Sequence, residues 1–370
     1  MAPAGAPGAP GHLRRHPPGA ARDGRGGRQG AHLADPAQPG QPPRGDRRAR
    51  GRRYGVTSGN VLIVGGDGFL GRHTAEALAA GGASVHVFDR PGSTPPPRPR
   101  GAHRYGRYEG SVTDRGALEE AVADAGADAI VVLASYSHGG LGLAKAAEQN
   151  PPAAVEVNVR GLLHVLEIAA RRPGTRVVWL SSTTVYGPTD RYAATGVSED
   201  ALLAPGSVYA ATKVLGEQLV RTYRTAHGVR ATAVRPTLVW GPGLRYRGVQ
   251  SCLGDLADAA AHGREATVPD SDEPWDLLYV RDAGRAVAWL TGRDLGPVVL
   301  VNGYRASVRQ VREAVLRAVP GAPVRVAGAA PRLNVPPVDD GRIRRAGFVP
   351  EFDLARSVYD YVATLSASTA

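Results

Sequence analysis

The chain has 370 residues, 42% of them hydrophobic and 21% charged, which is enough apolar material for a sizeable core and excludes wholesale disorder. The formal charge of +11 is concentrated in residues 1–58, where 11 Arg face 3 Asp; the near-neutral remainder carries no electrostatic footprint for nucleic acid. A single cysteine, Cys252, excludes an intrachain disulfide and a cysteine-rich metal site, and it suits a reducing cytoplasm.

Residues 1–58 form an Arg/Pro/Gly-rich segment without aliphatic periodicity, and such a composition predicts a disordered tail. No apolar stretch follows its arginines, so it does not read as a signal peptide. Two readings stand beside each other: a basic arm for acidic partners, and sequence upstream of the true start, which the composition favours. Nowhere does the chain hold an apolar run of the length that spans a bilayer, so no membrane segment is expected.

From residue 59 the pattern alternates. Asn60–Val64 reads as a buried strand, Gly65-Gly-Asp-Gly-Phe-Leu-Gly71 as a turn, Arg72–Ala80 as a helix, and Ala83–Phe88 as a second strand that ends in Asp89. Leu118–Ala125 then reads as helix, Ala129–Ala134 as strand, Val155–Arg171 as helix, Arg176–Leu180 as strand, Tyr209–His227 as helix and Ala231–Arg235 as strand. The alternation predicts an α/β fold with a doubly wound parallel sheet covered on both faces. After Pro236 the pattern turns irregular. The expected organisation is therefore a nucleotide-binding domain over 59–235 and a smaller, mainly substrate-binding lobe over 236–370.

The glycine turn fits a dinucleotide site. Gly65, Gly66, Gly68 and Gly71 allow a tight turn and bring backbone N–H groups and a helix N-terminus close to a pyrophosphate. Asp89 lies 18 residues beyond Gly71, at the end of the second strand, where a carboxylate binds ribose hydroxyls and repels a 2′-phosphate. That favours NAD over NADP, with the adjacent Arg90 softening the preference.

Tyr209 and Lys213 are four residues apart, so on a helix they share one face. An ammonium beside a phenol favours the phenolate, and bringing a tyrosine from its ordinary value toward neutrality requires roughly 4 kcal/mol at about 1.36 kcal/mol per unit. Lys213 and Lys145 are the only lysines in an arginine-rich chain, which suggests that a compact ammonium is needed at position 213. Ser181-Ser-Thr-Thr-Val-Tyr-Gly187 follows an apolar strand directly and sets hydroxyls at the ligand edge of the sheet.

These elements resemble the extended short-chain dehydrogenase/reductase family, in its nucleotide-sugar epimerase/dehydratase branch. The matching segments are VGGDGFLG at 64–71, VFDR at 87–90, VNVRG at 157–161, SSTTVYG at 181–187, YAATK at 209–213, RPTLVWGP at 235–242 and LLYVRDAGRAV at 277–287. The resemblance implies a Rossmann-type sheet and a catalytic set of Ser182, Tyr209 and Lys213. Tyr209 is then the general acid/base, Lys213 tunes it and holds the nicotinamide ribose, and Ser182 bonds the reacting oxygen. It implies cofactor contacts from Gly65, Gly68, Phe69, Leu70, Gly71, Asp89, Arg90, Leu133, Ala134, Ser135, Tyr209, Lys213 and Pro236. Substrate contacts are expected from Ser182, Thr183, His138 and Arg332. Asn158 falls on the family's helix asparagine, and Asp282 is expected to be structural. A homodimer through Val155–Arg171 and Tyr209–His227 is a further expectation.

Within that resemblance the triplet Ser182-Thr183-Thr184 lacks the carboxylate of the dehydratases, which disfavours water elimination. The expectation is an NAD-dependent epimerase of a nucleotide-linked sugar. The alternatives are an NAD(P)-dependent reductase or dehydrogenase of a small carbonyl compound and, from another class, a catalytically silent scaffold. Three positions depart from the pattern: Leu238 replaces an asparagine that contacts the sugar nucleotide, Trp275 replaces an arginine that grips the pyrophosphate, and Ser111 replaces an aspartate near the adenine. Trp240 and Trp275 read as packing residues. The histidines show no paired spacing for a metal, so no metal is expected.

Overall fold

The computed structural model describes residues 59–94, 105–193, 196–329 and 333–367. The tail over 1–58 and the expected substrate contact Arg332 lie outside the described residues. In chain order the first part comprises β1 (Asn60–Val64), α1 (Phe69–Ala80), β2 (Ser84–Asp89), β3 (Tyr105–Glu109), α2 (Arg115–Ala125), β4 (Ala129–Val132) and α3 (Leu143–Gln149). There follow α4 (Pro151–Val155), which passes through a π turn at Glu156–Arg160 into α5 (Gly161–Ala170), then β5 (Arg176–Leu180), α6 (Val208–His227) and β6 (Arg230–Pro236). The second part comprises β7 (Leu238–Trp240), α7 (Ser251–Ala261), β8 (Ala266–Asp270), β9 (Trp275–Tyr279), α8 (Val280–Leu290) and β10 (Val298–Val301). It closes with β11 (Tyr304–Ala306), α9 (Val308–Ala318), β12 (Val324–Ala329), α10 (Gly341–Arg345) and α11 (Leu354–Ala367).

Seven parallel strands form one sheet in the order β10-β6-β5-β4-β1-β2-β3. The order reverses between β1 and β4, which is where ligands of doubly wound sheets bind. Alternating side chains of β1 feed two separate cores, as the two-residue period of a strand requires. Val61 and Ile63 pack beneath α1 and α8, and Leu62 and Val64 beneath α2, α5 and α6. Being buried on both faces makes these strands continuous apolar runs, which is why they were legible. A third core around Trp240, Leu256, Leu277, Val311 and Val358 holds the smaller lobe together.

Helix ends follow local chemistry. The Asp114 side chain accepts from the Ala117 N–H at the start of α2, and the Ser207 side chain from the Ala210 N–H at the start of α6. Gly228, at φ 66°, terminates α6 in the left-handed region that glycine adopts freely.

Three features differ from the sequence expectation. Strand β3 is an edge strand with only Tyr108 buried, so it carried no apolar run to signal it. The helix expected over Val155–Arg171 begins at Pro151, behind an Asn150 cap, and is interrupted by the π turn. The boundary expected at residue 235 is crossed by the chain: β10 returns to pair with β6, and α8 packs on α1. Gly284 permits that crossing, because a Cβ there would lie 2.6 Å from the His73 carbonyl carbon. Among the described residues no helix is long and apolar enough to cross a membrane.

Candidate active site

The glycine turn joins β1 to α1 directly beneath the point where the strand order reverses. Gly65, at φ 87°, donates its N–H to the Phe88 carbonyl at 2.8 Å, and a Cβ on it would sit 2.6 Å from the Ala134 nitrogen. A Cβ on Gly71 would lie 2.5 Å from the Gly65 carbonyl oxygen. Gly68 is the N-cap of α1 and offers no side-chain cap, so the first N–H groups of the helix stay available to an anion. In that first turn Leu70 points into the core, while Phe69 meets Tyr246 edge-on with ring centroids 6.3 Å apart. Leu133 and Ala134 both donate to the Val64 carbonyl, at 2.8 and 3.0 Å, and pin the backbone after β4 against the turn.

Asp89 ends β2. Its two carboxylate oxygens accept from the backbone N–H groups of Asp67 at 2.9 Å and Arg90 at 2.8 Å. Burial pushes its carboxyl up, and those two donors oppose the shift. The Arg90 side chain is exposed. This cradle of glycine backbone, unfilled helix N-terminus and fixed carboxylate fits a dinucleotide.

On the other side of the crevice, Ser135 Oγ and the Tyr136 N–H both donate to Asn158 Oδ1, at 3.0 and 2.8 Å. Asn158 Nδ2 in turn donates to Thr212 Oγ1 at 3.1 Å. The buried Asn158 sits in the π turn, so this irregular turn ties the loop after β4 to the helix that carries Tyr209 and Lys213.

Tyr209 lies in the first turn of α6 and Lys213 one turn later, both buried. Ser182 caps the short turn after β5, accepting from the Thr184 N–H at 3.2 Å, and hydrogen-bonds the Tyr209 side chain. Lys213 Nζ donates to the Leu180 carbonyl at 2.8 Å and lies 4.9 Å from the Trp179 ring and 5.3 Å from the Tyr209 ring. The structure thus brings the three expected catalytic side chains together. Their protonation differs from the expectation of a lowered phenol. Burial pushes Tyr209 upward, with Tyr246 adding to it and the Ser182 hydrogen bond opposing it. Burial also pushes the Lys213 ammonium down to about 7, against the attraction of Glu217. Both groups lie out of water, and each shift disfavours the charged form.

A cavity of about 190 Å³ opens beside Ser182's neighbours Thr183 and Thr184 and is lined on the lobe side by Leu238, Trp275, Asp276, Arg305 and the 333–338 segment. Thr183 Oγ1 donates to the carbonyl of Pro236, at the end of β6, at 3.3 Å. Asp276 accepts from Asn302 Nδ2 at 3.2 Å and the Val338 N–H at 3.1 Å; burial raises its carboxyl against those donors and the Arg305 charge. Trp275 is buried and its Nε1 has no partner, whereas Trp240 packs in the lobe core and donates to the Tyr304 hydroxyl at 2.9 Å. His138 stands exposed on the loop after β4 and does not line this cavity. Asp282 is structural: fully buried, it accepts from the N–H groups of Glu351 and Phe352 and pairs with Arg285.

Sequence reasoning did not find Tyr246, Asp276 or Arg305. Tyr246 sits in an irregular loop with no periodicity, and the other two reach the cavity only through the pairing of β11 with β9.

The family model for the NAD dependent epimerase/dehydratase family matches residues 61–299, a range that includes the glycine turn, Asp89, Ser182, Tyr209 and Lys213. The chain belongs to this family. It is 32% identical over 186 residues to UDP-glucuronate 4-epimerase 1 of Arabidopsis thaliana, covering 50% of this chain and 43% of that protein. It therefore spans less than half the length of that relative. It is 28% identical over 310 residues to the UDP-glucose 4-epimerase of Mycolicibacterium smegmatis, covering 80% of this chain and 96% of the relative. Among solved structures, a GalE-like L-threonine dehydrogenase from Cupriavidus necator superposes with a TM-score of 0.68 at 28% identity, covering 83% of this chain and all 100% of the other.

Proposed function

We propose that the protein is an NAD-dependent epimerase of a nucleotide-linked sugar. The observation that carries the reading is the convergence of Ser182, Tyr209 and Lys213 at the carboxyl edge of the sheet, next to a glycine turn and a ribose-binding carboxylate. The epimerase relatives support the same assignment. Gly65, Gly68, Phe69, Leu70, Gly71, Asp89, Arg90, Leu133, Ala134, Ser135 and Pro236 would hold the cofactor together with Tyr209 and Lys213. When bound, NAD supplies a reversible hydride acceptor, so that epimerisation leaves no net redox change.

The chain's own groups handle the proton. Tyr209 takes the proton of the sugar hydroxyl as the carbonyl forms and returns it as the hydroxyl is restored. Ser182 holds the reacting oxygen, and Thr183 and the cavity beyond it receive the rest of the substrate. Lys213, protonated, stabilises the phenolate that Tyr209 becomes; at about 7 it sits close to neutrality and shifts readily with its surroundings. A homodimer across α4 to α6 and a cytoplasmic location accompany the reading. Val155 and Leu215, on α4 and α6, are 44% and 48% exposed and supply apolar surface for such contact.

A second reading, an NAD-dependent dehydrogenase of a smaller compound, is favoured by Leu238 and Trp275 in the cavity wall, where a sugar nucleotide would meet polar and cationic groups. One experiment separates the two. The purified protein is denatured, released nicotinamide is quantified, and isomer exchange is followed with UDP-glucose and UDP-glucuronate. Near-stoichiometric NAD with exchange supports the epimerase; an empty protein that reduces free NAD supports the dehydrogenase. In either case Tyr209→Phe is expected to abolish turnover while sparing dinucleotide binding, and unchanged turnover refutes the mechanism.

A further inference from the structure

The first non-glycine position of the glycine turn carries an aspartate, Asp67, whose side chain is 2% exposed. It does not face solvent as an ordinary turn residue would. Asp67 Oδ2 accepts from Arg107 on β3, from Nη2 at 2.9 Å and Nε at 3.3 Å, and from Ser93 Oγ at 2.6 Å. Arg107 also donates to Glu109 Oε1, from Nη1 at 2.6 Å, and to Ser93 Oγ, from Nη2 at 3.0 Å. The Asp67 backbone N–H holds Asp89, and Asp89 and Glu109 are register partners on β2 and β3. Asp67 Oδ1 is buried and has no partner. A hydrogen-bonded set therefore stands beside Asp89, where the ribose of the cofactor's adenosine would be held.

We propose that Asp67 is a specificity-determining residue that makes the protein select NAD against NADP by locking Arg107 away from the 2′-position. The inference rests on the dinucleotide reading above. An arginine recognises phosphate through a free planar fork of N–H donors. Arg107 lies one strand from Asp89 and would be placed for that task, but both arms of its fork are already directed at carboxylates. A 2′-phosphate would instead meet Asp89 with Asp67 behind it, which is like-charge repulsion without a compensating fork. Free ribose hydroxyls meet the same carboxylates as donors to acceptors. The exposed Arg90 donates its backbone N–H to Asp89 and its charge partly offsets that carboxylate, which softens the preference without supplying the fork that Arg107 withholds.

The test titrates NAD⁺ and NADP⁺ by isothermal calorimetry into the wild-type chain and into Asp67→Ser, Arg107→Met and the double variant. Wild type is expected to prefer NAD⁺. Asp67→Ser frees the fork and should improve NADP⁺ affinity by about tenfold relative to NAD⁺, the scale of one charge-assisted hydrogen bond. The double variant should lose that gain, a result that a merely structural role for Asp67 would not produce. A wild-type preference for NADP⁺, or an Asp67→Ser ratio equal to wild type with NAD⁺ still bound, overturns the proposal and leaves the dinucleotide reading standing. Failure of wild type to bind either nucleotide overturns both. Should Asp67→Ser not fold, Glu109→Gln loosens the other arm of Arg107 and must move the ratio in the same direction by a smaller factor; an unchanged ratio then refutes the proposal.

Discussion

Removing the carboxylate of Glu217 should destabilise this protein as much as a large core truncation does. Glu217 and Arg235 are 1% and 0% exposed and form a two-pronged pair, with Nε to Oε1 at 2.7 Å and Nη2 to Oε2 at 2.5 Å. Ser181 Oγ donates to the same carboxylate at 2.6 Å, and Arg235 also reaches the Tyr186 hydroxyl at 2.6 Å and the Glu199 carbonyl at 3.1 Å. Glu217→Ala leaves a guanidinium buried without its counter-charge and orphans the Ser181 hydroxyl, and such uncompensated burial costs about 3–5 kcal/mol. For a chain of this size that lowers the melting midpoint on the order of 10 °C. The double variant Glu217→Leu with Arg235→Met removes both charges and keeps volume, so it should recover most of the loss. Urea and thermal unfolding of wild type, single and double variants provide the check. A single variant within about 1 kcal/mol of wild type, or a double variant less stable than the single, refutes the reasoning. The pair then would not be the buried, mutually dependent unit that its geometry describes.

Other outcomes follow from the same geometry. The folded Lys213 ammonium titrates at about 7 and the unfolded one near its ordinary 10.5, so between those values the unfolded chain binds the extra proton and stability rises with pH. Lys213→Met should flatten that rise in pH-dependent denaturation, and parallel profiles would refute it. Gly71→Ala places a methyl 2.5 Å from the Gly65 oxygen and should open the turn, weakening NAD binding by about tenfold or more in equilibrium dialysis. Leu78→Ala, in the core between α1 and the sheet, should cost about 2–5 kcal/mol of stability in urea unfolding without changing the ratio of NAD to NADP affinity.

The parallel sheet was legible because β1, β4, β5 and β6 are buried on both faces and read as unbroken apolar runs. Tyr209 and Lys213 were legible because a four-residue spacing means one helical face. Strand β3 was not, since its row YGRYE buries one side chain and looks like loop. The return of β10 to the sheet was not legible either: Val298–Val301 is apolar, but nothing local says which edge it joins. The direction of the Tyr209 shift escaped sequence reasoning for a related cause. Desolvation depends on everything packed around the side chain, whereas the spacing revealed only its charged neighbour. Asp67 read as one more variable position in a glycine turn until its partner on β3 was in view.

The late arrival of β10 has a consequence during synthesis. The last strand of the parallel sheet is separated from its neighbour β6 by the whole β7–α8 excursion, so an emerging chain completes β6 well before residues 298–301 exist to cover its edge. During that interval the nascent protein displays an unpaired, apolar strand edge, the template on which chains pair wrongly with one another. Pairing of β10 moves that edge outward, and the new edge is covered when the Leu300 N–H donates to Glu199 and the Val298 carbonyl accepts from Arg342, so this side of the sheet becomes safe from its neighbours only once residues 341–345 have been made.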